Sequence, residues 1–336
     1  MSTQLRWAMV GTGLMADLIL KDFALVENTK LVALVSRDQA KGKAKLAEHG
    51  ITDAAVIDFD TAIADPDIDV IYVASPHSEH FWMSKAALEA GKHVLCEKAF
   101  TMNQREAIEL ASIAKANNRF LMEAMWTKFI PLFAKLHEIV ASGRIGNVKL
   151  VEANFGFGSP FDPSHRLFSA ELGGGTTLDQ GVYTTTFVRW FAGSTIKSQS
   201  SSGQVYRNGC DAEAVTKFEF ENGVVGLGSS ALNANLGTKA RIIGDLGLIE
   251  VQGSFWNADT ALVTAPISYR GTPDPETIHV AKTGFGYTHM IKAVSQSIID
   301  GKLECDQHPL SWTIENMGVL DEIIAKVRAA GVPANE

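Results

Sequence analysis

Cysteine is scarce in this 336-residue chain: Cys96, Cys210 and Cys305 are odd in number, widely spaced and free of any C-x-x-C pair. That argues against a disulfide framework or a structural zinc site and points to a reducing, cytoplasmic compartment. Long apolar runs are also missing. The longest are strand-sized, so no membrane-spanning segment is expected. Residues 1–6 lack a basic region followed by an apolar stretch, so no signal peptide is expected either. Positive charge is in deficit, with 30 Lys and Arg against 38 Asp and Glu and a formal net charge of −8. No Lys/Arg cluster resembles a polyanion-binding patch, so nucleic acid is not an expected partner. Internal repeats and low-complexity linkers are absent as well. What remains is ordinary globular composition, 46% hydrophobic and 20% charged, in a chain long enough for two domains.

Residues 1–124 alternate strand and helix patterns. Apolar runs at 7–10, 31–35, 54–57, 68–74, 93–96 and 119–123 read as strands, the fourth continuous enough to be buried on both faces. Helices are expected over 13–26, 40–49, 78–91 and 103–117, with Ser78 as an N-cap and Asn103 and Glu106 as a capping box. Repeated β-α units joined by short turns imply a parallel, doubly wound sheet. From 125 to 336 the pattern changes to a second α/β domain. Pro131 opens a helix, 148–157 alternates as a strand, and 215–221 with 224–230 reads as a hairpin turning through Asn222-Gly223 in type I′ geometry. A further hairpin spans 241–251, and helices at 287–300 and 311–329 end the chain. Such an open, mostly antiparallel sheet leaves one face for a partner subunit, so a homodimer or higher homo-oligomer is expected.

The first strand leads into Gly11-Thr12-Gly13-Leu14-Met15-Ala16, a G-x-G-x-x-A turn that opens a helix. Gly11 permits the tight turn, Gly13 lets a pyrophosphate approach the backbone, and Ala16 lets the helix pack close to the sheet. The helix start offers free N–H groups and a positive dipole end to phosphates. In this strand–turn–helix context the motif signals a dinucleotide. Twenty residues after Ala16, the second strand ends in Ser36-Arg37-Asp38. NAD sites usually place an acid there for the ribose 2′-hydroxyl, whereas a small hydroxyl and a guanidinium suit a 2′-phosphate. NADP is therefore favoured, with NAD still possible through Asp38.

Ligand crevices in such sheets lie at the carboxyl ends of the strands. Ser75 and Pro76, after the fourth strand, are placed at the nicotinamide ribose side. His77 and His80 lack the further ligands a metal needs; His80 is assigned to the helix start or the cofactor cleft. The fifth strand ends in Glu97-Lys98. Lys98 is suited to bond a reacting hydroxyl and to lower the pKa of a neighbouring acid, with Glu97 orienting the lysine or the nicotinamide carboxamide. An exposed ion pair of little energetic weight is the competing reading of those two residues.

The glycine turn, Glu97-Lys98 and the run Gly173-Gly174-Gly175-Thr176-Thr177-Leu178-Asp179-Gln180-Gly181-Val182-Tyr183 resemble the glucose–fructose oxidoreductase / inositol dehydrogenase (Gfo/Idh/MocA) family from end to end. Residues 122–129 and Arg166-Leu167-Phe168 are similar to its branch of dimeric dihydrodiol dehydrogenases and NADP-dependent D-xylose dehydrogenases. The resemblance implies a Rossmann domain, an α/β domain with an open sheet that supports dimers, and catalysis by Lys98. It departs at Ala99, where the family carries proline, a change expected to loosen the lysine's placement. Tyr183 matches the dihydrodiol branch, where inositol dehydrogenase-like members have histidine. Asp179 and Tyr183 are expected one helical turn apart. The resemblance thus implies Tyr183 as general acid/base, Lys98 as its electrostatic partner and Asp179 as a substrate-hydroxyl ligand. Trp126, Phe155, Phe157 and Arg166 are candidates for the substrate wall, since aromatic faces suit sugar rings or cyclic diols. The expected reaction is hydride transfer between NADP and a secondary alcohol or carbonyl of a sugar, polyol or cyclic diol. A catalytically silent NADP-binding regulator of the same fold is the alternative, against which the complete set Glu97, Lys98, Asp179 and Tyr183 argues. An enzyme using another nucleotide, such as a methyltransferase, is disfavoured by Ser36-Arg37.

Overall fold

The computed structural model describes residues 4–334 and forms two compact units. The first contains β1 (Leu5–Val10), α1 (Leu14–Phe23), β2 (Thr29–Val35), α2 (Gln39–Glu48), β3 (Ala55–Ile57), α3 (Phe59–Ala64), β4 (Val70–Val73), α4 (His77–Glu89), β5 (His93–Glu97), α5 (Gln104–Ala116) and β6 (Leu121–Ala124). The strands lie in the order β3-β2-β1-β4-β5-β6, every neighbouring pair parallel. The order reverses beside β1, so the crevice at the switch point opens at the ends of β1 and β4, as the doubly wound expectation requires. The centre of the sheet is apolar on both faces: Trp7, Met9, Ile71, Tyr72 and Leu95 are fully buried.

Local chemistry sets the helix starts. Asn103 Oδ1 accepts the Glu106 N–H at 3.1 Å, while Glu106 Oε2 accepts the Met102 N–H at 3.0 Å, a reciprocal cap close to the one expected. Ser78 is not an N-cap. The helix begins one residue earlier, at His77, with Pro76 in the extended N-cap position and no side-chain cap. Pro76 supplies the extended backbone there, so the Ser78 hydroxyl falls inside the first turn.

His93, at the start of β5, accepts the Phe120 N–H on Nδ1 at 2.9 Å. Burial, helped by the Arg119 charge, pushes its pKa from 6.5 down to about 4. A folded pKa below the unfolded one means the unfolded chain binds more protons between those values. The associated stability is therefore complete above about pH 6.5 and is lost as pH falls toward 4. Replacing His93 with Asn, which keeps an acceptor but does not titrate, is expected to remove about 1–3 kcal/mol of the wild-type stability loss between pH 7 and pH 4. Denaturant melts at the two pH values check it; equal pH slopes for the two proteins would contradict it.

The first unit also takes in Thr283–Met317, which the sequence reading left in the second domain. The reason is Asp22, a buried residue of α1. Its carboxylate accepts the N–H groups of Phe285 at 2.8 Å, Gly286 at 3.0 Å and Thr288 at 3.1 Å. These are orphan donors at the start of α8 (Tyr287–Ile299). A second tie is fully buried: His308 Nε2 lies 3.0 Å from Glu123 Oε2, and Lys128 Nζ lies 3.3 Å from His308 Nδ1.

Among the described residues the second unit runs 130–282 and 318–334. It contains α6 (Pro131–Ala141), β7 (Val148–Gly156), α7 (Val182–Ala192), β8 (Ile196–Val205), β9 (Asp211–Phe220), β10 (Val225–Ala231), β11 (Ala240–Gly244), β12 (Leu248–Val251), β13 (Thr260–Thr264) and β14 (Glu276–His279). Of the final helix, α9 (Leu310–Ala330), residues 318–330 fall in this unit. The strand order is β14-β13-β12-β11-β7-β10-β9-β8, antiparallel except for the β7–β10 pair. The β9–β10 hairpin closes differently from the expectation. Residues 221–223 form its loop, with the Gly223 N–H donating to the Phe220 carbonyl. Type I′ needs positive φ at both central residues, and of the pair only Gly223 has it.

Candidate active site

In the first unit the glycine turn behaves as its sequence requires. Gly11 has φ +111°, and a Cβ there would stand 2.6 Å from the Ala74 carbonyl oxygen at the end of β4. Ala16 is 1% exposed against the sheet. Gly13 is the N-cap of α1, has no side-chain cap, and a Cβ added to it would meet nothing within 4 Å. Thr12, Leu14 and Met15 complete the turn at the surface. A helix start with uncapped N–H groups facing open space fits a pyrophosphate.

At the end of β2 the two neighbours separate in role. The Ser36 hydroxyl donates to the Asp38 carbonyl at 2.7 Å and Ser36 is 8% exposed, so it shapes the loop rather than facing outward. Asp38 caps α2, its carboxylate accepting the Lys41 N–H at 3.0 Å. Arg37 alone of the three is an exposed cation. Asp38 Oδ1 accepts the cap hydrogen bond, so the loop presents the Arg37 guanidinium, which fits a 2′-phosphate, beside a capping carboxylate.

The ends of β4 and β5 are tied by His80. Its ring is fully buried, with Nε2 2.9 Å from the Ser75 carbonyl oxygen and Nδ1 2.9 Å from that of Ala99. Burial lowers the imidazole pKa, while the carbonyls of Ser75 and Ala99 pull it up; with a single N–H, a neutral ring donates to only one of the two carbonyls. His80 thus turns no polar atom outward; it fixes the strand ends that flank the crevice. Pro76 is half-buried, and Ser75 Oγ is buried with no hydrogen-bond partner among the described residues, an orphan donor at the crevice edge. Glu97 is not half of an exposed ion pair. It is 4% exposed, accepts the Tyr72 hydroxyl on Oε1 and accepts the Lys98 backbone N–H on Oε2 at 3.2 Å. Burial raises its pKa above the ordinary carboxylate range. Glu97 therefore orients Lys98 through the main chain. Ala99, in the family's proline position, is fully buried after a cis Lys98–Ala99 peptide.

Trp126 differs from the expectation of a substrate wall. It is 2% exposed, stacked on Tyr287 with ring centroids 4.3 Å apart and on Phe285 at 5.7 Å. The segment that Asp22 pins against α1 supplies both rings and covers it.

In the second unit, residues 173–175 lead into a π-helical turn, Thr177–Gly181, and then α7. Asp179 and Tyr183 are therefore separated by a widened turn rather than one regular α turn, a register change often found at functional sites. The turn is held at its start by Asp211, a buried residue of β9 whose Oδ2 accepts the Thr177 N–H at 2.6 Å. Arg166 Nη1 stands 3.1 Å from Asp179 Oδ1. Tyr183 lies beside an aromatic platform: Phe155 and Trp256 stack with centroids 3.8 Å apart and planes at 9°, each 6.0 Å from the tyrosine ring. Phe157 is 40% exposed beyond Phe155. Sequence reasoning missed Trp256, Asp211 and Tyr72. Trp256 comes from a short 3₁₀ turn with no periodic signal, and Tyr72 was hidden inside an apolar strand.

Comparison with known proteins agrees with both units. Residues 5–125 match the oxidoreductase family with an NAD-binding Rossmann fold, and residues 133–250 match the Gfo/Idh/MocA C-terminal domain. The chain is 30% identical over 365 aligned residues to the D-xylose 1-dehydrogenase (NADP(+)) of Hypocrea jecorina, covering 95% of this chain and 91% of that one. It is 29% identical to the trans-1,2-dihydrobenzene-1,2-diol dehydrogenase of Xenopus laevis, covering 96% and 98%. Among solved structures, the aldose-aldose oxidoreductase of Caulobacter crescentus, complexed with glycerol, superposes with a TM-score of 0.85 at 25% identity, covering 97% and 98%. With both domains matched and a relative this similar along nearly its whole length, the chain belongs to the Gfo/Idh/MocA family of NAD(P)-binding oxidoreductases.

Proposed function

We propose that this protein transfers hydride between NADP(H) and a secondary alcohol or carbonyl of a sugar, polyol or cyclic diol. The observation that carries the reading is Tyr183, a phenol beside the flat Phe155–Trp256 stack in the same unit as the Arg166–Asp179 pair. An aromatic plane takes the apolar face of a ring, the ion pair takes its hydroxyls, and the phenol is a proton donor or acceptor for the reacting one. The names of the relatives, a xylose dehydrogenase and a dihydrodiol dehydrogenase, support the same substrate class.

Residues 11–16, Arg37, Ser75, Pro76, Glu97 and Lys98 would hold the cofactor, which supplies the hydride acceptor. In oxidation Tyr183 takes the hydroxyl proton, Lys98 stabilises the negative charge that develops on the oxygen, and Asp179 accepts a hydrogen bond from a substrate hydroxyl. Glu97 keeps Lys98 in place from behind, and His80 fixes the strand ends. The protein works as a homodimer or higher homo-oligomer through the face of the second sheet opposite α7, where Val215 and Leu227 are 40% and 37% exposed. No helix among the described residues is long and apolar enough to cross a membrane, and three free buried thiols fit a reducing, cytoplasmic setting.

Reduced-nicotinamide absorbance, followed with NADP and then NAD over xylose, glucose, inositols, anhydro-sugars and dihydrodiols, tests the reaction. Turnover with at least one of them, faster with NADP, is expected. Arg37→Ala should lower kcat/KM for NADP by about 10- to 100-fold, as loss of a charge-assisted contact implies, and for NAD by far less. NADPH binding without turnover on any of them would instead favour the silent regulator, and equal losses for the two cofactors would reject NADP selection by Arg37.

A further inference from the structure

The helical stretch that carries Asp179 and Tyr183 has no cap of its own. The π turn Thr177–Gly181 runs straight into α7, and Thr176, at its N-cap position, makes no side-chain cap bond. The Thr176 hydroxyl is turned instead to the Gln180 side chain, 2.8 Å away. The first N–H groups of a helix need partners, and buried ones left without them are costly. Here the Thr177 N–H donates to Asp211 Oδ2 at 2.6 Å, a carboxylate 34 residues further along the chain. A carboxylate at a helix start also meets the positive end of the helix dipole.

Asp211 is itself held without slack. It opens β9 and is 1% exposed. Its neighbours Cys210 and Ala212 lie in a buried cluster with Leu167, Phe168, Tyr206 and Leu232. On the side of the glycine loop, a Cβ on Gly175 would stand 2.2 Å from Asp211 Oδ1, at a φ of +119°. Gly175 thus lets the backbone pass against the carboxylate. The other side of the turn offers less grip. Thr177 is fully buried and its Oγ1 has no hydrogen-bond partner among the described residues. It borders a small chamber lined also by Gly181, Thr184, Thr216 and Ser230. A turn that borders a chamber is held less tightly by packing, so its first hydrogen bond weighs more in setting its register.

We propose that Asp211 is a positioning residue for the reaction: its carboxylate sets the register of the π turn, and with it the places of Asp179 and Tyr183 at the substrate. The inference rests on the hydride-transfer reading above. Both residues follow Thr177 on one unbroken helical stretch, so a shift at the first N–H is passed on to both. A displacement of about 1 Å at a reacting group can cost about 100-fold in rate. A cap that served stability alone would leave the turnover of the folded protein unchanged.

The test compares full-length Asp211→Ala and Asp211→Asn with the wild type, each well below its melting temperature. The reaction is the oxidation by NADP of whichever sugar or diol of the panel above the wild type turns over fastest. Asp211→Ala should lower kcat about 10- to 100-fold, with NADPH affinity, read by fluorescence titration, within about 2-fold of the wild type. Asp211→Asn keeps an oxygen acceptor and should recover kcat to within about 3-fold. Amide hydrogen exchange gives a reading that needs no turnover. In Asp211→Ala, residues 177–183 should exchange at least about 10-fold faster while β7 and β10 stay unchanged. Should Asp211→Ala not fold, Asp211→Ser, whose hydroxyl is too short to reach the Thr177 N–H, carries the same expectations. Wild-type kcat in a folded variant without the acceptor, unchanged exchange over 177–183, or an Asp211→Asn protein as slow as Asp211→Ala would overturn the assignment while leaving hydride transfer standing. A wild-type protein that binds NADPH and oxidises no alcohol or sugar would overturn the underlying reading and this inference with it.

Discussion

Tyr183→Phe is expected to bind NADPH like the wild type and to turn over about 10²- to 10⁴-fold more slowly, the range lost with a positioned general acid/base. The substitution removes one oxygen. The ring keeps its contacts with Phe155 and Trp256, so the fold and the aromatic platform should persist. Lys98→Met tests the other half of the proposed chemistry. Loss of one preorganised donor at a developing oxyanion costs about 10²–10³ in kcat. Lys98 is oriented through its backbone N–H by Glu97, which Tyr72 holds in turn. Removing the ammonium therefore leaves the strand end intact, and the loss should appear in kcat. Full turnover in either variant, measured by reduced-nicotinamide absorbance, would remove that residue from the mechanism.

The second large effect separates folding from binding within one turn. Gly11→Ala must place a Cβ 2.6 Å from a backbone carbonyl at φ +111°, a conformation costly for any residue with a side chain. Its expected cost is about 2–3 kcal/mol of stability, with NADPH binding lost alongside. Gly13→Ala is the contrast. Its φ of −82° suits alanine, and a Cβ meets nothing in the protein. Stability should change by no more than about 1 kcal/mol. If a pyrophosphate comes to rest over Gly13, however, that Cβ occupies its place, and NADPH affinity should fall at least about 30-fold through steric exclusion and weakened N–H contacts. Thermal melts with and without NADPH read both quantities. A Gly13→Ala protein that binds NADPH normally would place the pyrophosphate elsewhere.

These two glycines show what was legible in the sequence. A turn that tolerates one residue type writes its geometry into the residue itself, and alternating strand and helix patterns then fix the parallel sheet around it. Lys98 and Tyr183 were legible through motif and resemblance. Other features depend on neighbours distant in the chain, which spacing does not carry. His80 lies among helix residues, and nothing local indicates that its ring reaches the carbonyl of Ala99 as well as that of Ser75. Asp22 reads as an ordinary polar helix residue until residues 285–288 arrive to donate to it. That carboxylate, with the buried Glu123–His308 contact, ties a late stretch of chain into the first unit. Trp126 reads as a substrate-wall candidate because the rings that cover it come from the same late stretch. Ser36 and Arg37 looked like a matched phosphate pair, but the hydroxyl serves its own loop and the guanidinium alone faces out.

Hydride transfer is tested most directly by isotope. trans-1,2-Cyclohexanediol carrying deuterium on its carbinol carbons is incubated with the wild-type protein and NADP, and the reduced nicotinamide is analysed by NMR. The account predicts one deuterium at C4 of the nicotinamide, on a single face, for each diol oxidised, with negligible formation by Tyr183→Phe under the same conditions. Reduced cofactor without deuterium, or no reduced cofactor from a protein that binds NADP, would contradict it.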